Sequence, residues 1–148
     1  MDNVKVVFST SRGIVSRAIR KFTWSDWSHV GYLTPNQTVI DSTFMLGVAE
    51  KPFEEWVNDY SKTEILSIPH RDPGEFDYTI RQQMGKPYDF GGVFGFIARS
   101  GKWNDPDRWF CSELIADTFD KSGGVEFPKG LYKISPALLY TMLWMIKE

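Results

Sequence analysis

Cys111-Ser112-Glu113-Leu114-Ile115-Ala116-Asp117-Thr118-Phe119 reads as the opening of an amphipathic helix, and its first residue is the chain's one cysteine. Cys111, Leu114, Ile115, Thr118 and Phe119 recur at helical spacing, while Ser112, Glu113, Ala116, Asp117 and Asp120 fall on other faces. The thiol therefore stands at one end of a buried face. Unpaired backbone N–H groups and the positive end of the helix dipole favour thiolate over thiol there. Placement alone supplies only about 0.3–1 kcal/mol. It takes a neighbouring imidazolium to bring a thiol from about 8.5 into the reactive range of about 3.5–7.5. Two plainer readings stand beside this one. Asp105-Pro106-Asp107 is itself a helix-start signal that puts Cys111 in a second turn, and an unpaired cysteine is commonly an inert core residue.

The histidines decide what a reactive thiol has to work with, and there are two, His29 and His70. His29 lies in Trp27-Ser28-His29-Val30-Gly31-Tyr32, which alternates as a strand does, with Gly31 leaving room two positions along the same face. Residues 27–34 and 38–43 form two strands about Pro35-Asn36-Gln37, a hairpin signal. If the hairpin turns about Asn36, residue 29 faces residue 43, and Asp41 becomes a diagonal neighbour of His29. Asp41 then accepts the imidazole N–H and stabilises the imidazolium. A register shifted by one turns Asp41 to the opposite face. His70, in Pro69-His70-Arg71-Asp72-Pro73, reads as a surface-loop histidine.

Composition narrows the class. At 148 residues the chain is most simply one domain spanning 1–148, and 42% hydrophobic with 24% charged residues is globular. A net charge of −2 with interspersed signs gives no basic stripe for nucleic acid and no polybasic run for an anionic membrane. One cysteine and two distant histidines fit no usual zinc pattern, so neither metal nor cofactor is expected. Met1-Asp2-Asn3-Val4-Lys5 lacks the regions of a signal peptide, and no stretch approaches the ~20 apolar residues of a membrane span. The expectation is a cytoplasmic protein, with a phage or delivered effector as the other setting. Aromatics at 16% suit a core first and a groove second.

The patterns run strand-rich, then helix-rich. Val4–Phe8, 27–34, 38–43, Gly47–Ala49 and Glu64–Ile68 are strand signals, the last closed by Pro69. Helical signals cover Ile14 to Phe22 after an N-cap at Ser11, Pro52–Val57, 73–84, Phe90–Ala98, the Cys111 segment to Gly123-Gly124, and Pro136–Ile146. Residues 99–107 read as a polar loop. This order predicts an α+β architecture, an antiparallel sheet packed against helices that include the Cys-bearing one.

Five segments, in order, resemble the circularly permuted branch of the NlpC-type papain-fold hydrolases, the YiiX-like proteins. They are Trp27-Ser28-His29-Val30-Gly31, Val39-Ile40-Asp41, Gly85-Lys86-Pro87-Tyr88-Asp89-Phe90, Phe110-Cys111-Ser112-Glu113-Leu114, and Ile134-Ser135-Pro136-Ala137-Leu138-Leu139. In ordinary papain-like enzymes the cysteine helix precedes the histidine strand, whereas in this branch, as here, the histidine comes first. The resemblance implies a permuted papain-like fold with Cys111 as nucleophile, His29 as general base and Asp41 as third residue, at a position where relatives often carry the longer Glu. It also implies that backbone N–H groups at the start of the Cys111 helix form part of an oxyanion hole. Tyr88 and Asp89 are expected to be structural or groove-lining.

The implied reaction is acyl transfer through a thioester, releasing an amine and then an acid. A cell-wall-type peptide is the leading substrate, although no export signal carries the chain to a wall. A lipid-directed thioesterase, amidase or acyltransferase of the lecithin:retinol acyltransferase type uses the same residues, and a catalytically silent binding module keeps the same fold. Oligomeric state is not legible.

Overall fold

The computed structural model describes residues 2–10, 26–43, 46–87, 111–128 and 134–148. The strands come first, with one short helix among them: β1 (Asp2–Thr10), β2 (His29–Leu33), β3 (Thr38–Thr43), β4 (Gly47–Pro52), α1 (Phe53–Asn58) and β5 (Lys62–His70). Then follow α2 (Pro73–Arg81), α3 (Cys111–Lys121) and α4 (Pro136–Trp144). The fold is α+β, as the order of patterns predicts. The helix expected over Ile14 to Phe22, the helix over Phe90–Ala98, the loop at 99–107 and the Asp105-Pro106-Asp107 signal lie outside the described residues.

The strands form one antiparallel sheet in the order β4-β3-β2-β1-β5. Period-2 alternation gives it two apolar faces. Val4, Val6, Phe8, Val30, Tyr32, Ile40, Leu66 and Ile68 join Phe76 and Ile80 of α2, Leu114, Ile115 and Phe119 of α3, and Leu139 and Leu143 of α4 in the main core. Each such fully buried side chain contributes roughly 1.5–3 kcal/mol from burial alone. Val7, Leu33 and Val39 point to the opposite face, where Trp56 of α1 covers them.

Local chemistry explains the helix starts. Asp72 caps α2 by accepting from the Glu75 N–H, with Pro73 pre-set for the first turn. Ser135 caps α4 through the Leu138 N–H in the same way. β5 is longer than Glu64–Ile68 and runs through Pro69 to His70. It can do so because it is an edge strand, where a missing N–H breaks no inner ladder. At Gly47, φ is +66° and an added Cβ would stand 2.2 Å from the Lys86 carbonyl oxygen. That close approach lets Val48 N–H donate to Lys86 O and Gly85 N–H donate to Val48 O, tying the end of the α2 segment to β4. Among the described residues, no helix is long and apolar enough to cross a membrane.

Candidate active site

The β2–β3 ladder pairs Tyr32 with Ile40 and Leu33 with Val39. Continued toward the start of β2, it sets Gly31 opposite Asp41 and His29 opposite Thr43. This is the register that a turn about Asn36 implies. His29 and Asp41 share a face on the diagonal, and His29 Nε2 lies 2.7 Å from Asp41 Oδ2. The shorter side chain of Asp41 reaches because Gly31 stands between them without a side chain. A Cβ there would lie 2.6 Å from Val39 Cγ1 and 3.2 Å from Asp41 Cβ.

Cys111 is the first described residue of α3, buried and unpaired in any disulfide. α3 packs against β2 and β3, bringing its beginning to the start of β2. The Cys111 side chain lies close enough to His29 to act on it by charge and by hydrogen bonding. With Nε2 engaged by Asp41, Nδ1 is the ring nitrogen left for the thiol. The imidazole thus spans the gap between the thiol and the carboxylate.

His29 is nearly buried, and burial by itself pushes its pKa down. The charge on Cys111, the hydrogen bonds to Asp41 and Cys111, and the charge on Asp41 outweigh that and raise it to about 10. Its place between Asp41 and Cys111 favours the charged form of the ring.

Two aromatic side chains that the sequence reading did not single out complete the surroundings. Trp56 of α1 donates its indole N–H to Asp41 Oδ2 at 2.6 Å. Tyr60, just past α1, stacks on the His29 ring with centroids 5.4 Å apart and an interplanar angle of 13°. The rings of Trp56 and Tyr60 meet at 4.3 Å. Burial first, then the charges of Asp41, Cys111 and Asp59, hold the Tyr60 phenol well above its usual range. One signal was present in the sequence: Phe53, Trp56, Val57 and Tyr60 form an apolar stripe at helical spacing. Glu54 and Glu55 are exposed on the outer side of α1.

His70 corrects an expectation. It is not a surface-loop residue: it ends β5 with 1% of its surface exposed. Its Nδ1 accepts from the Asp72 N–H at 3.0 Å and its Nε2 lies 2.9 Å from Ser122 Oγ, just beyond the far end of α3 from Cys111. The run of β5 along all of β1, with His70 paired to Asp2, carries it under α2 and α3 instead of into a loop. Tyr88, Asp89 and Phe110 lie outside the described residues.

Among the described residues, no group of three or more His, Cys, Asp or Glu side chains gathers as a metal-ligand set. Asp41 Oδ2 accepts from His29 and Trp56.

The profile of a family described as "Permuted papain-like amidase enzyme, YaeF/YiiX, C92 family" matches residues 4–140. The uncharacterized protein YiiX of Escherichia coli (strain K12) is 27% identical over 129 residues, which are 81% of this chain and 58% of that protein. The chain thus spans under two thirds of that relative's length. A crystal structure described as metalloprotein yiiX from Escherichia coli O157:H7 superposes with a TM-score of 0.62 at 22% identity, covering 95% of this chain and 79% of that one.

Proposed function

Because this chain belongs to the permuted papain-like amidase family, we propose that it is a cysteine hydrolase that opens an amide bond through a thioester, with Cys111 as nucleophile, His29 as acid and base, and Asp41 as its orienting partner. The observation that supports this reading is the imidazole bonded to Asp41, with Cys111 close enough to act on the same ring.

The steps follow from those positions. The Cys111 sulfur adds to the amide carbonyl carbon, and its charge moves to the carbonyl oxygen, where backbone N–H groups at the start of α3 are the proposed donors. The C–N bond then breaks, and the departing amine takes the proton from His29 Nδ1. What remains is a thioester on Cys111 and a neutral imidazole. Water gives a proton back to His29 as it attacks the thioester carbon, the acid leaves, and the imidazolium–thiolate pair is restored. Asp41 holds the ring throughout by accepting from Nε2.

A cell-wall-type peptide is the substrate we propose; the family's description as an amidase supports the amide bond in it. The test sets wall-type peptides beside acyl lipids, with wild type, Cys111→Ala and His29→Ala. Release of a free amine by wild type alone supports the peptide amidase. Turnover of acyl lipids alone replaces the substrate with a lipid ester or amide. If neither class is turned over, and iodoacetamide modifies Cys111 at the same rate with and without His29, the protein is a binding module with a papain-like fold.

A further inference from the structure

We infer that Trp56 is a positioning residue for this site: its indole N–H fixes the Asp41 carboxylate so that Oδ2 faces His29, and through Asp41 it sets the direction in which His29 meets Cys111. The inference rests on the reading of Cys111 and His29 given above.

Asp41 is 1% exposed, so bulk water does not supply its hydrogen bonds. A carboxylate joined to its chain by single bonds rotates unless donors pin it. Here one oxygen, Oδ2, takes both the His29 Nε2–H and the Trp56 Nε1–H, at 2.7 and 2.6 Å. A buried indole N–H needs some acceptor, and by itself that is ordinary core chemistry. What sets this bond apart is its acceptor, the same oxygen that holds the imidazole.

The donor is itself immobile. Trp56 is fully buried against Val7, Leu33 and Val39 on the sheet face opposite the main core. Its ring leans on Tyr60, which lies flat on His29. The indole therefore reaches the site from a rigid support, and the short helix α1 acts as a clamp across the β2–β3 diagonal. Asp41 supplies the charge and Trp56 its orientation.

The test is a double-mutant cycle read by Cys111 alkylation with iodoacetamide below pH 7. Trp56→Phe keeps an aromatic ring and removes the N–H; we expect alkylation to slow about tenfold, the scale of one hydrogen bond to a charged group. Asp41→Asn slows it as well. If Trp56 acts through Asp41, adding Trp56→Phe to Asp41→Asn produces no further loss. Where His29→Ala slows alkylation, losses that simply multiply, or a Trp56→Phe protein as reactive as wild type, overturn the inference. Should Trp56→Phe fail to fold, benzothienylalanine at position 56 replaces N–H with sulfur at nearly the same shape and carries the same test.

A second readout separates this inference from the proposed function. The ring-nitrogen NMR shifts of His29 report the Nε2–H bond to Asp41 whatever the enzyme hydrolyses. They must change in Trp56→Phe. If they change while alkylation ignores His29→Ala, the hydrolase reading fails and the positioning role stands. If they do not change, the positioning role fails alone.

Discussion

His29 and Asp41 meet across a diagonal of the β2–β3 ladder, Nε2 to Oδ2 at 2.7 Å, with Gly31 directly opposite the carboxylate. A diagonal pair on the same face is normally separated by about 7–8 Å at the backbone. Hydrogen-bond contact therefore requires the imidazole to lean along its own strand over the place where the side chain of residue 31 would stand. Three positions thus share one requirement: a ring at 29, no side chain at 31, and a carboxylate at 41.

Gly31→Ala tests that requirement. The new Cβ would lie 2.6 Å from Val39 Cγ1, 3.2 Å from Asp41 Cβ and 3.3 Å from the Ile40 carbonyl oxygen, so neighbours must shift. The expected cost is about 1–3 kcal/mol of stability, as for other overpacked sites. Displacement of Asp41 should also slow Cys111 alkylation below pH 7. Denaturant melts and alkylation rates measure the two effects. A destabilised but fully reactive protein shows that the close packing serves only the core.

The protonation of His29 gives a second prediction. Its folded pKa, raised from 6.5 to about 10, has the negative charge of Cys111 as its largest upward cause, acting against burial. Cys111→Ser should therefore lower the value seen by NMR titration, and Asp41→Asn should lower it as well. The sign for stability follows from linkage. A pKa above that of the unfolded chain means the contribution is complete below pH 6.5 and is lost as pH rises from there through about 10. The stability gap between wild type and His29→Gln should narrow over that interval. A gap that widens with pH contradicts the raised pKa.

Ser112, one residue past the cysteine, offers a control. It is fully buried, and its hydroxyl donates to the Ile134 carbonyl oxygen ahead of α4. Ser112→Ala leaves that carbonyl without the hydroxyl and should cost about 1–3 kcal/mol. His29 keeps both its partners, so Cys111 alkylation should stay within about twofold of wild type. A large drop in alkylation would mean that the start of α3 moves with the Ile134 contact.

Local patterns made much of this legible. The β2–β3 hairpin is short, its turn is closed by Thr34 N–H to Thr38 O and Gln37 N–H to Thr34 O, and Gln37 takes a positive φ of 59°. Turn position and strand period together set which residues share a face, so a turn about Asn36 puts Asp41 beside His29, while a register shifted by one, which the sequence left open, does not. The amphipathic order of Cys111, Leu114, Ile115, Thr118 and Phe119 marked part of the buried side of α3. Ser112 and Ala116, set by the same spacing on other faces, are buried as well because sheet and helices enclose α3 more widely than one stripe. Trp56 was different. Its stripe shows that α1 has an apolar face, but nothing local says which side of the sheet that face covers. His70 was lost for a related reason. Prolines on both sides resemble a loop, and only the pairing of β5 with the whole of β1 reveals a strand there.

His70 supplies the last prediction, with the opposite sign to His29. Burial is the main cause of its lowered pKa, outweighing the nearby Asp72 charge. The neutral ring fits its partners: Nδ1 accepts from the Asp72 N–H, and Nε2–H donates to Ser122 Oγ. A folded pKa below the unfolded value near 6.5 means this contribution is present above pH 6.5 and is lost as pH falls from there toward the folded value. Wild type should therefore lose stability between pH 7 and pH 5 more steeply than His70→Gln, as thermal melts across that range will record. Gly124→Ala should weaken the same latch at neutral pH, because its Cβ would stand 2.5 Å from His70 Cδ2 and 2.6 Å from Nε2. If wild type and His70→Gln decline in parallel on acidification, His70 is protonated in the folded protein as readily as in the unfolded chain, and the bond to Ser122 does not hold the neutral tautomer.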